Sequence, residues 1–550
     1  MKKIFRMLSL LMIAVLVFTG CAIIPESKQT QEPQDSNQTT VGQEKPEELV
    51  LPISATGLKL TVFSALPSGT AAVVSDYSQV KCFVEMEKRT GVKLEFIHPP
   101  QGAGQENEKF NLMMASNDLP DLIYTGWASK AGGPQKFAKE GQIISLNQYV
   151  SKYAPNFSKL LESNSEYKKQ VMDDNGDMYY FPLTTIDSTT RLNKGFIIRN
   201  DWVEKLGLEL PTTTDDFYNI LKAFRERDPN ENELEDEIPF VTDTISQFVF
   251  HLVWPWGISW GGGSFSPDFA LKGDKIVYGP IEPEAKEALA WINKLYNEKL
   301  IDPDFSTSDR PAMKTKVTTG LSGVWYGYTG AQYTGYLKEM ETIDPNFELA
   351  TFPTPIAPGI DKSYNFDPGM KNLNTGIGIA ITSQCKNIKE AVKWLDYAYS
   401  DEGILLYSFG IEGDTYNMVN GNPILSDAVM KDVSLLTPAV TSINGWAMIQ
   451  DPRFFEQYTS KVGKENFDRW GISTPERRIP QQISYTTEEN RIISTKLTDI
   501  KTLADEMFYK FVMGREPLSE FDKFVDTVNS MDIDELIKVQ QSAYERYNNR

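Results

Sequence analysis

The sequence predicts an α/β fold, in which helices cover the faces of a parallel sheet. Near the start of the chain, segments with alternating apolar residues are separated by segments with helical periodicity, in the order strand, helix, strand, helix, strand. In addition, a chain of 550 residues, of which 41% are hydrophobic, can form several domains or one large two-lobed body. These two observations define the predicted fold class.

Each element follows from its own pattern of apolar side chains. Gly91 is a typical helix terminator, and Pro120 separates the second helix from the strand after it. The first elements are a strand at 58–66, a helix at 76–91, a strand at 92–100, a helix at 107–118 and a strand at 121–124. Later elements are a helix at 284–299, a strand at 375–382, a helix at 387–403 and mostly helical structure over the last 120 residues.

This pattern also indicates where a ligand binds. In parallel sheets, ligands bind beyond the carboxyl ends of the strands. Tyr124 and Trp127 stand at the end of the third predicted strand, so both are candidate ligand-binding residues.

The composition excludes several classes of function. A net charge of −20 argues against a nucleic-acid partner, because phosphate binding requires a basic surface. The sequence contains no phosphate-binding P-loop pattern, so we expect neither ATP hydrolysis nor an organic cofactor. With two histidines and three cysteines, the chain offers little for a histidine-rich metal site. We expect Cys82 and Cys385 to be separate buried thiols.

The first 21 residues are typical of a secretion signal. Lys2, Lys3 and Arg6 precede an apolar segment that is too short to span a bilayer. The predicted signal spans 1–20, and Cys21 follows it. The sequence FTGC at 18–21 resembles a bacterial lipobox, although Phe18 stands where leucine is usual. We therefore expect Cys21 to carry lipid and to anchor the protein at the outer face of the membrane.

The next segment, 21–56, is rich in polar residues and proline and poor in large apolar residues, so it is predicted to be a disordered linker.

Four longer stretches resemble one family, and together with the lipobox they span most of the chain in the family order. They are MMASNDLPDLIY at 113–124, GFIIRNDWVEKLGLELPTTTDDFYNILKAF at 195–224, GIGIAITSQCKNIKEAVKWLDYAYSDEG at 376–403 and FGIEGDTYN at 409–417. The chain resembles the extracellular solute-binding proteins of ABC importers, of the large carbohydrate-binding type.

The resemblance implies two α/β lobes of the type II-like periplasmic-binding-protein fold, with a ligand cleft between them and extra C-terminal helices. We expect residues 57–185 and 371–430 to form lobe 1, and 186–370 and 431–550 to form lobe 2. It also implies a monomeric receptor that delivers a sugar or oligosaccharide to a membrane permease, while other subunits hydrolyse ATP.

Aromatic residues are concentrated in two short stretches, 254–265 and 320–330. An indole ring can cover the apolar face of a sugar, while neighbouring polar groups bond its hydroxyls. The further candidate ligand-binding residues are Trp256, Trp260, Trp325, Tyr326, Tyr328 and, more weakly, Trp446, with Glu412 as an acceptor for hydroxyl groups. The alternative is that these aromatic residues belong to the core and that Glu412 serves a turn.

Other functions remain open at this stage. GISWG at 257–261 matches the nucleophile elbow of hydrolases, but that fold places its histidine after the serine, and both His98 and His251 precede Ser259. A surface enzyme that hydrolyses glycans with a carboxylate pair is a second possibility. A binding protein for a peptide or another non-sugar solute, or one that serves a sensor, is a third.

An acidic stretch follows the predicted helix at 214–227 and is predicted to bind Ca²⁺ for a structural purpose, away from the sugar. Alternate side chains of a tight turn can point their oxygens at one hard cation, as in the EF-hand. The expected ligands are Asp228, Asn230, Asn232, the carbonyl of Leu234, Asp236 and Glu237.

Two features depart from a true EF-hand, because Glu233 replaces the usual glycine and Pro239 stands where the last glutamate belongs. DEIPF at 236–240 is similar to the calcium loop of the alginate-binding members of the family. The alternative is a solvated acidic loop.

Overall fold

The computed structural model describes residues 45–550, except 103, 187–191, 193, 244–247, 262–267, 368–372, 444 and 459–460. The predicted signal, Cys21 and most of the predicted linker lie outside these described residues. None of the described helices has the length and apolar character needed to cross a membrane.

The helices alternate with strands along the chain. The strands are β1 (Leu58–Phe63), β2 (Val92–Ile97), β3 (Leu122–Thr125), β4 (Phe181–Thr184), β5 (Lys194–Arg199), β6 (Phe240–Val241), β7 (Phe269–Lys272), β8 (Lys275–Tyr278), β9 (Val324–Tyr328), β10 (Leu349–Phe352), β11 (Asn374–Ile381), β12 (Tyr416–Val419) and β13 (Asn422–Leu425).

The helices are α1 (Ser68–Ala71), α2 (Lys81–Thr90), α3 (Gln105–Ser116), α4 (Gly133–Lys139), α5 (Asn147–Tyr153), α6 (Pro155–Ser163), α7 (Ser165–Val171), α8 (Asn200–Lys205), α9 (Thr214–Glu226), α10 (Pro283–Asn297), α11 (Arg310–Thr318), α12 (Gly335–Met340), α13 (Ile388–Tyr397), α14 (Asp401–Phe409), α15 (Asp427–Lys431), α16 (Pro452–Tyr458), α17 (Lys461–Trp470), α18 (Thr487–Val512), α19 (Phe521–Ser530) and α20 (Ile533–Asn548).

The first sheet forms the centre of lobe 1. Its strand order is β2-β1-β3-β11-β4, with β1 parallel to β2 and β3, and β11 antiparallel to β3 and β4. The predicted parallel strands are therefore confirmed, and two antiparallel strands extend them. Gly91 ends α2 with φ 68°, and a Cβ there would collide with the carbonyl oxygen of Ser54.

The second sheet forms the centre of lobe 2, with the order β10-β5-β9-β6. Strand β5 is antiparallel to β9 and β10, whereas β6 is parallel to β9. Helix α9 begins with a capping box between Thr213 and Asp216, and its apolar face packs into the same core. Helices α18, α19 and α20 pack on this core as well. The predicted two-lobed α/β fold is thus confirmed.

The chain passes between the sheets at one corner of lobe 1. Strand β4 ends at Thr184 before the chain enters lobe 2, and the chain returns to lobe 1 at Asn374, the first residue of β11. These two residues pair directly across the sheet. This pair therefore marks a place where the chain passes between the lobes, and we call it the hinge.

Two boundaries differ from the expected ones. Glu47 and Ser54, in the predicted linker, bond to lobe 1: the backbone N–H of Glu47 donates to the carbonyl of Lys152 at 2.8 Å. Apolar side chains of the same segment pack on the lobe 1 core, which is enough to order it. Likewise, residues 446–449 pack in the lobe 1 core rather than in lobe 2. The remaining lobe boundaries stay a prediction.

Candidate functional site

The lobe 1 side of the hinge presents the ends of three strands. Strands β1 and β3 are parallel and end at Phe63 and Thr125. The antiparallel β11 places Gly378 beside Thr125 and begins at Asn374, beside Thr184 of β4. The hydroxyl of Thr125 donates to Glu106 at 2.7 Å, which ties the start of α3 to this edge. We call this edge the lobe 1 rim; it lies where ligands bind in sheets of this type.

The lobe 2 side presents a set of charged groups, of which Asp243, Asp367 and Arg478 are buried and Arg310 is half-exposed. Lys194, the first residue of β5, lies 2.9 Å from Asp367, and its ammonium group is 5.6 Å from the ring centroid of Tyr328 at the carboxyl end of β9. Arg310, at the start of α11, lies 6.0 Å from the same ring and 3.5 Å from Asp243. We call Lys194, Asp243, Arg310, Tyr328, Asp367 and Arg478 the lobe 2 rim.

Burial shifts the titration of these groups. Burial disfavours the ammonium group of Lys194, but Asp367 and Tyr328 outweigh burial, so the pKa of Lys194 lies above its ordinary value. Burial lowers the pKa of Arg478 to about 10, against the opposing effect of Asp367. Both groups are therefore cations at pH 7, and they share a poorly solvated environment with one carboxylate.

A compact aromatic group adjoins this rim. His251 stacks on Trp254 with ring centroids 3.9 Å apart, and Tyr326 meets His251 edge-on at 4.4 Å. Burial, together with Lys194, lowers the pKa of His251 well below its ordinary value, so the ring is neutral at pH 7. These three rings are buried and support the rim from the core, whereas the partly exposed ring of Tyr328 and the charged groups beside it can contact the apolar face and the hydroxyl groups of a sugar.

The structure buries most of the predicted aromatic candidates in the cores. Trp127, Trp256, Trp260, Trp325 and Trp446 are each at most 3% exposed. For example, Trp260 stacks on Phe524 in lobe 2, and Trp446 lies 4.8 Å from Tyr124 and 5.1 Å from Phe83 in lobe 1. Packing accounts for these side chains without a ligand, so their role in binding stays a prediction.

The remaining candidates are divided between three places. Tyr124 packs on the lobe 1 core, whereas Tyr326, which is 1% exposed, lies in the lobe 2 core beside the partly exposed Tyr328 of the lobe 2 rim. Glu412 is instead exposed beside the β12–β13 hairpin, where its carboxylate accepts the N–H of Met418 at 3.4 Å. Ser259, the serine of the GISWG match, is buried and follows a 3₁₀ segment instead of the strand that a nucleophile elbow requires.

Sequence reasoning missed the charged members of the lobe 2 rim. Lys194, Asp243, Arg310, Asp367 and Arg478 are separated by up to 284 positions, and no motif connects them. Their common signal is weak: Lys194 is the first residue of β5, and Asp243 lies two residues after the end of β6. Only the pairing of β5, β6 and β9 brings them together.

The acidic loop is wound as a tight turn around its own carboxylates. The oxygens of Asp228 accept the N–H groups of Asn232 and Glu233 at 3.1 and 3.0 Å, and the side-chain oxygen of Asn232 accepts the N–H of Leu234 at 2.8 Å. Glu233 has φ 61°, the left-handed conformation for which glycine is usual at this position.

Glu237 has an unusual environment within this loop. It is 1% exposed, and neither carboxylate oxygen has a hydrogen-bond partner in another residue. Burial raises its pKa, and the neighbouring Asp228 and Asp236 raise it further. Arg225 donates to the backbone carbonyls of Glu235 and Glu237 and not to this carboxylate. The donor set of carboxylate, amide and carbonyl oxygens fits a hard cation such as Ca²⁺.

Among the described residues, no three histidine, cysteine, aspartate or glutamate side chains converge as a metal site. A cation in the acidic loop would therefore depend on amide and backbone oxygens in addition to the carboxylates. Cys82 and Cys385 are both buried and free, as expected. Burial raises the pKa of both thiols, that of Cys385 to about 11.

Known proteins share this architecture. The substrate-binding protein FusA of a fructooligosaccharide ABC transporter from Streptococcus pneumoniae is 25% identical over 488 residues, which cover 84% of this chain and 86% of FusA. The crystal structure of the alginate-binding protein AlgQ2 without calcium ion has a TM-score of 0.72 and 25% identity, and covers 90% of this chain and 99% of AlgQ2.

A structure of an EF-hand mutant of S. pneumoniae FusA in complex with fructo-nystose has a TM-score of 0.70 and 21% identity, over 89% of this chain and 99% of that one. Residues 67–404, more than half of the chain, match the family of bacterial extracellular solute-binding proteins. The chain therefore belongs to the family of bacterial extracellular solute-binding proteins.

Proposed function

We propose that this protein captures a sugar or oligosaccharide between its two lobes and delivers it to the permease of an ABC importer. The observation that carries the proposal is the lobe 2 rim, where Tyr328 lies between Lys194 and Arg310 at the carboxyl end of β9. The charged groups beside this ring can bond sugar hydroxyls, and the ring can cover an apolar face. The relatives named above bind fructooligosaccharides or alginate.

A thermal-shift screen tests this proposal. The panel consists of fructo-nystose, an alginate trisaccharide, raffinose and glucose, and a ligand that binds only the folded protein raises its melting temperature. We expect at least one oligosaccharide to raise it. If none does while a peptide or another solute does, the protein binds a non-sugar ligand. New reducing ends after incubation with excess protein would instead indicate a glycan-hydrolysing enzyme.

Tyr328→Ala tests the position of the site. Loss of one stacked ring should weaken binding by about 1–3 kcal/mol. The buried tryptophans are unsuitable for this test, because their replacement opens cavities in the core. Tyr218→Ala is the matched control, because Tyr218 lies partly exposed on α9 and bonds Glu298. Equal affinity of the two variants would place the ligand elsewhere.

We further propose that the mature protein is a monomer anchored by lipid on Cys21. The motivation is the charged, apolar and small-residue sequence that ends at this cysteine. Cys21→Ala should move the protein from the membrane fraction to the medium. If the variant fractionates like the wild type, the anchor is elsewhere.

The acidic loop is, in our proposal, a structural Ca²⁺ site with the ligands given above. Its support is the buried carboxylate of Glu237, because a buried charge whose oxygens accept no hydrogen bond from another residue is costly. The bound ion would neutralise the converging carboxylates and hold the loop between α9 and β6. The similar structures named above are AlgQ2 without calcium ion and an EF-hand mutant of FusA.

A further inference from the structure

A charged seam joins lobe 1 to helix α20 of lobe 2. We call it the hinge seam and define it by Glu166, Lys169 and Asp174 of lobe 1 and Arg546, Tyr547 and Arg550 of lobe 2. The first two lobe 1 residues lie on α7, and Asp174 lies in the loop after it. None of these side chains belongs to either rim, so the seam is separate from the candidate ligand site.

Asp174 is the centre of the seam. One of its oxygens accepts the Nε of Arg546 at 2.8 Å, and the other accepts the Nε and Nη2 of Arg550 at 2.9 and 2.7 Å. Both arginines are thus fixed by the same carboxylate. Charge-assisted bonds of this fork geometry are strong and directional.

Further bonds make the seam continuous. The Nη1 of Arg550 donates to the carbonyls of Lys169 and Met172 at 2.9 and 2.7 Å, and the hydroxyl of Tyr547 donates to Glu166 at 2.8 Å. The side chain of Arg550 is only 5% exposed. Screening by water is therefore weak at Arg550, in contrast to an ordinary surface ion pair.

The seam is attached directly to the hinge. On the lobe 1 side, the side-chain oxygen of Gln170 accepts the N–H groups of Leu373 and Asn374 at 2.8 and 3.1 Å. On the lobe 2 side, Arg550 donates to the carbonyl of Gln482, whose side-chain amide donates to the carbonyl of Asn374. One residue therefore separates Arg550 from the strand at which the chain crosses between the lobes.

The distance of an interlobe bond from the rotation axis decides whether it persists when one lobe rotates against the other. Atoms near a rotation axis move little, whereas atoms at the distant edge of a lobe move by many ångströms. Short directional bonds survive the first kind of displacement and break under the second. Since the seam adjoins the hinge strand, its atoms should move little during rotation and its bonds should persist.

We propose that the hinge seam is the fixed pivot of lobe rotation: its bonds persist in the open and closed states, and they set the orientation of one lobe against the other. This inference rests on the proposed function for closure around a ligand. The seam itself exists without ligand, so part of its test needs none.

Distances between paired spin labels test the pivot. Lys109→Cys and Lys314→Cys report across the rims, because both residues are exposed on helices that begin there, α3 and α11. Lys168→Cys and Glu545→Cys report across the seam from exposed positions on α7 and α20. Cys82 and Cys385 are buried, and Cys21→Ala removes the remaining native thiol.

In the first experiment, the added ligand is fructo-nystose or the alginate trisaccharide, whichever raises the melting temperature. We expect the rim distance to shorten and the seam distance to stay unchanged. A seam distance that changes as much as the rim distance would overturn the proposal, because the seam would then open during closure.

The second experiment uses the ligand-free protein and is therefore independent of the sugar assignment. Asp174→Asn weakens the bonds to both arginines, so the rim distances should spread over a wider range than in the wild type. Lys496→Gln is the matched control, because Lys496 bonds Asp532 at 2.8 Å entirely within lobe 2. An unchanged rim distribution in Asp174→Asn contradicts the pivot. If ligand leaves the rim distance unchanged while Asp174→Asn widens the rim distribution, the result contradicts closure around the ligand and not the pivot.

Discussion

Asp367 and Glu237 are both buried carboxylates of lobe 2, but their surroundings differ. Asp367 lies 2.9 Å from Lys194 and within the electrostatic range of Arg478, so the chain itself supplies its counter-charge. Glu237 is equally buried, but Asp228 and Asp236 raise its pKa further, and Arg225, which opposes them, bonds its backbone carbonyl and not its carboxylate. The charge of Asp367 is therefore balanced within the chain, whereas the charge of Glu237 requires a cation or a proton from solution.

Breaking the complete pair should have the largest effect. Lys194→Met leaves Asp367 buried beside one cation instead of two, and we expect the free energy of unfolding to fall by about 3 kcal/mol. Chemical denaturation measures it. Lys362→Met is the control, because its ion pair with Glu476 is exposed, and it should change stability by less than about 0.5 kcal/mol. Equal effects would show that the rim pair adds no stability.

Removing the cation should have the next largest effect. EDTA should lower the melting temperature and Ca²⁺ should restore it, since a ligand at 100 times its Kd adds about 2.7 kcal/mol. Asp228→Ala should abolish this response. Glu235→Gln, an exposed change in the same loop, should keep it. Unchanged melting in EDTA, together with no calcium by elemental analysis, leaves an ordinary solvated loop.

The pH dependence of the calcium-free protein tests whether the charge of Glu237 is unbalanced. The pKa of Glu237 is raised in the folded state, so its contribution to stability is present below the unfolded pKa and is lost as the pH rises through the folded pKa. In EDTA, the melting temperature should therefore decrease over that range more steeply than with Ca²⁺. Glu237→Gln should remove this difference in slope. Parallel pH profiles of wild type and variant in EDTA would contradict the assignment.

The smallest effect concerns the backbone of the loop. Glu233 holds a left-handed conformation at φ 61°, which glycine adopts without strain. Glu233→Gly should therefore increase stability by about 0.5–1 kcal/mol. Lys222→Gly, inside helix α9, is the opposite control and should decrease stability by a similar amount. A destabilised Glu233→Gly would mean that the carboxylate itself binds the cation.

Local patterns were sufficient for most of the fold. The alternating strands and the amphipathic helices are read from neighbouring residues, and Gly91 correctly marked the end of α2. The linker prediction failed at Glu47 and Ser54, because a polar composition does not reveal a surface elsewhere on which a segment can pack. The acidic loop was found because all of its residues lie within ten positions.

By itself, the sequence determined the α/β class, the order of the elements, the signal-like start and the family resemblance, all of which depend on residues close together in the chain. Only the tertiary structure decided which aromatic residues fill the cores and which reach the rims, because both kinds have the same local sequence. It also decided that Lys194 meets Asp367 and that Asp174 meets Arg550. These contacts join residues 173 and 376 positions apart, and only strand pairing and lobe docking bring such residues together.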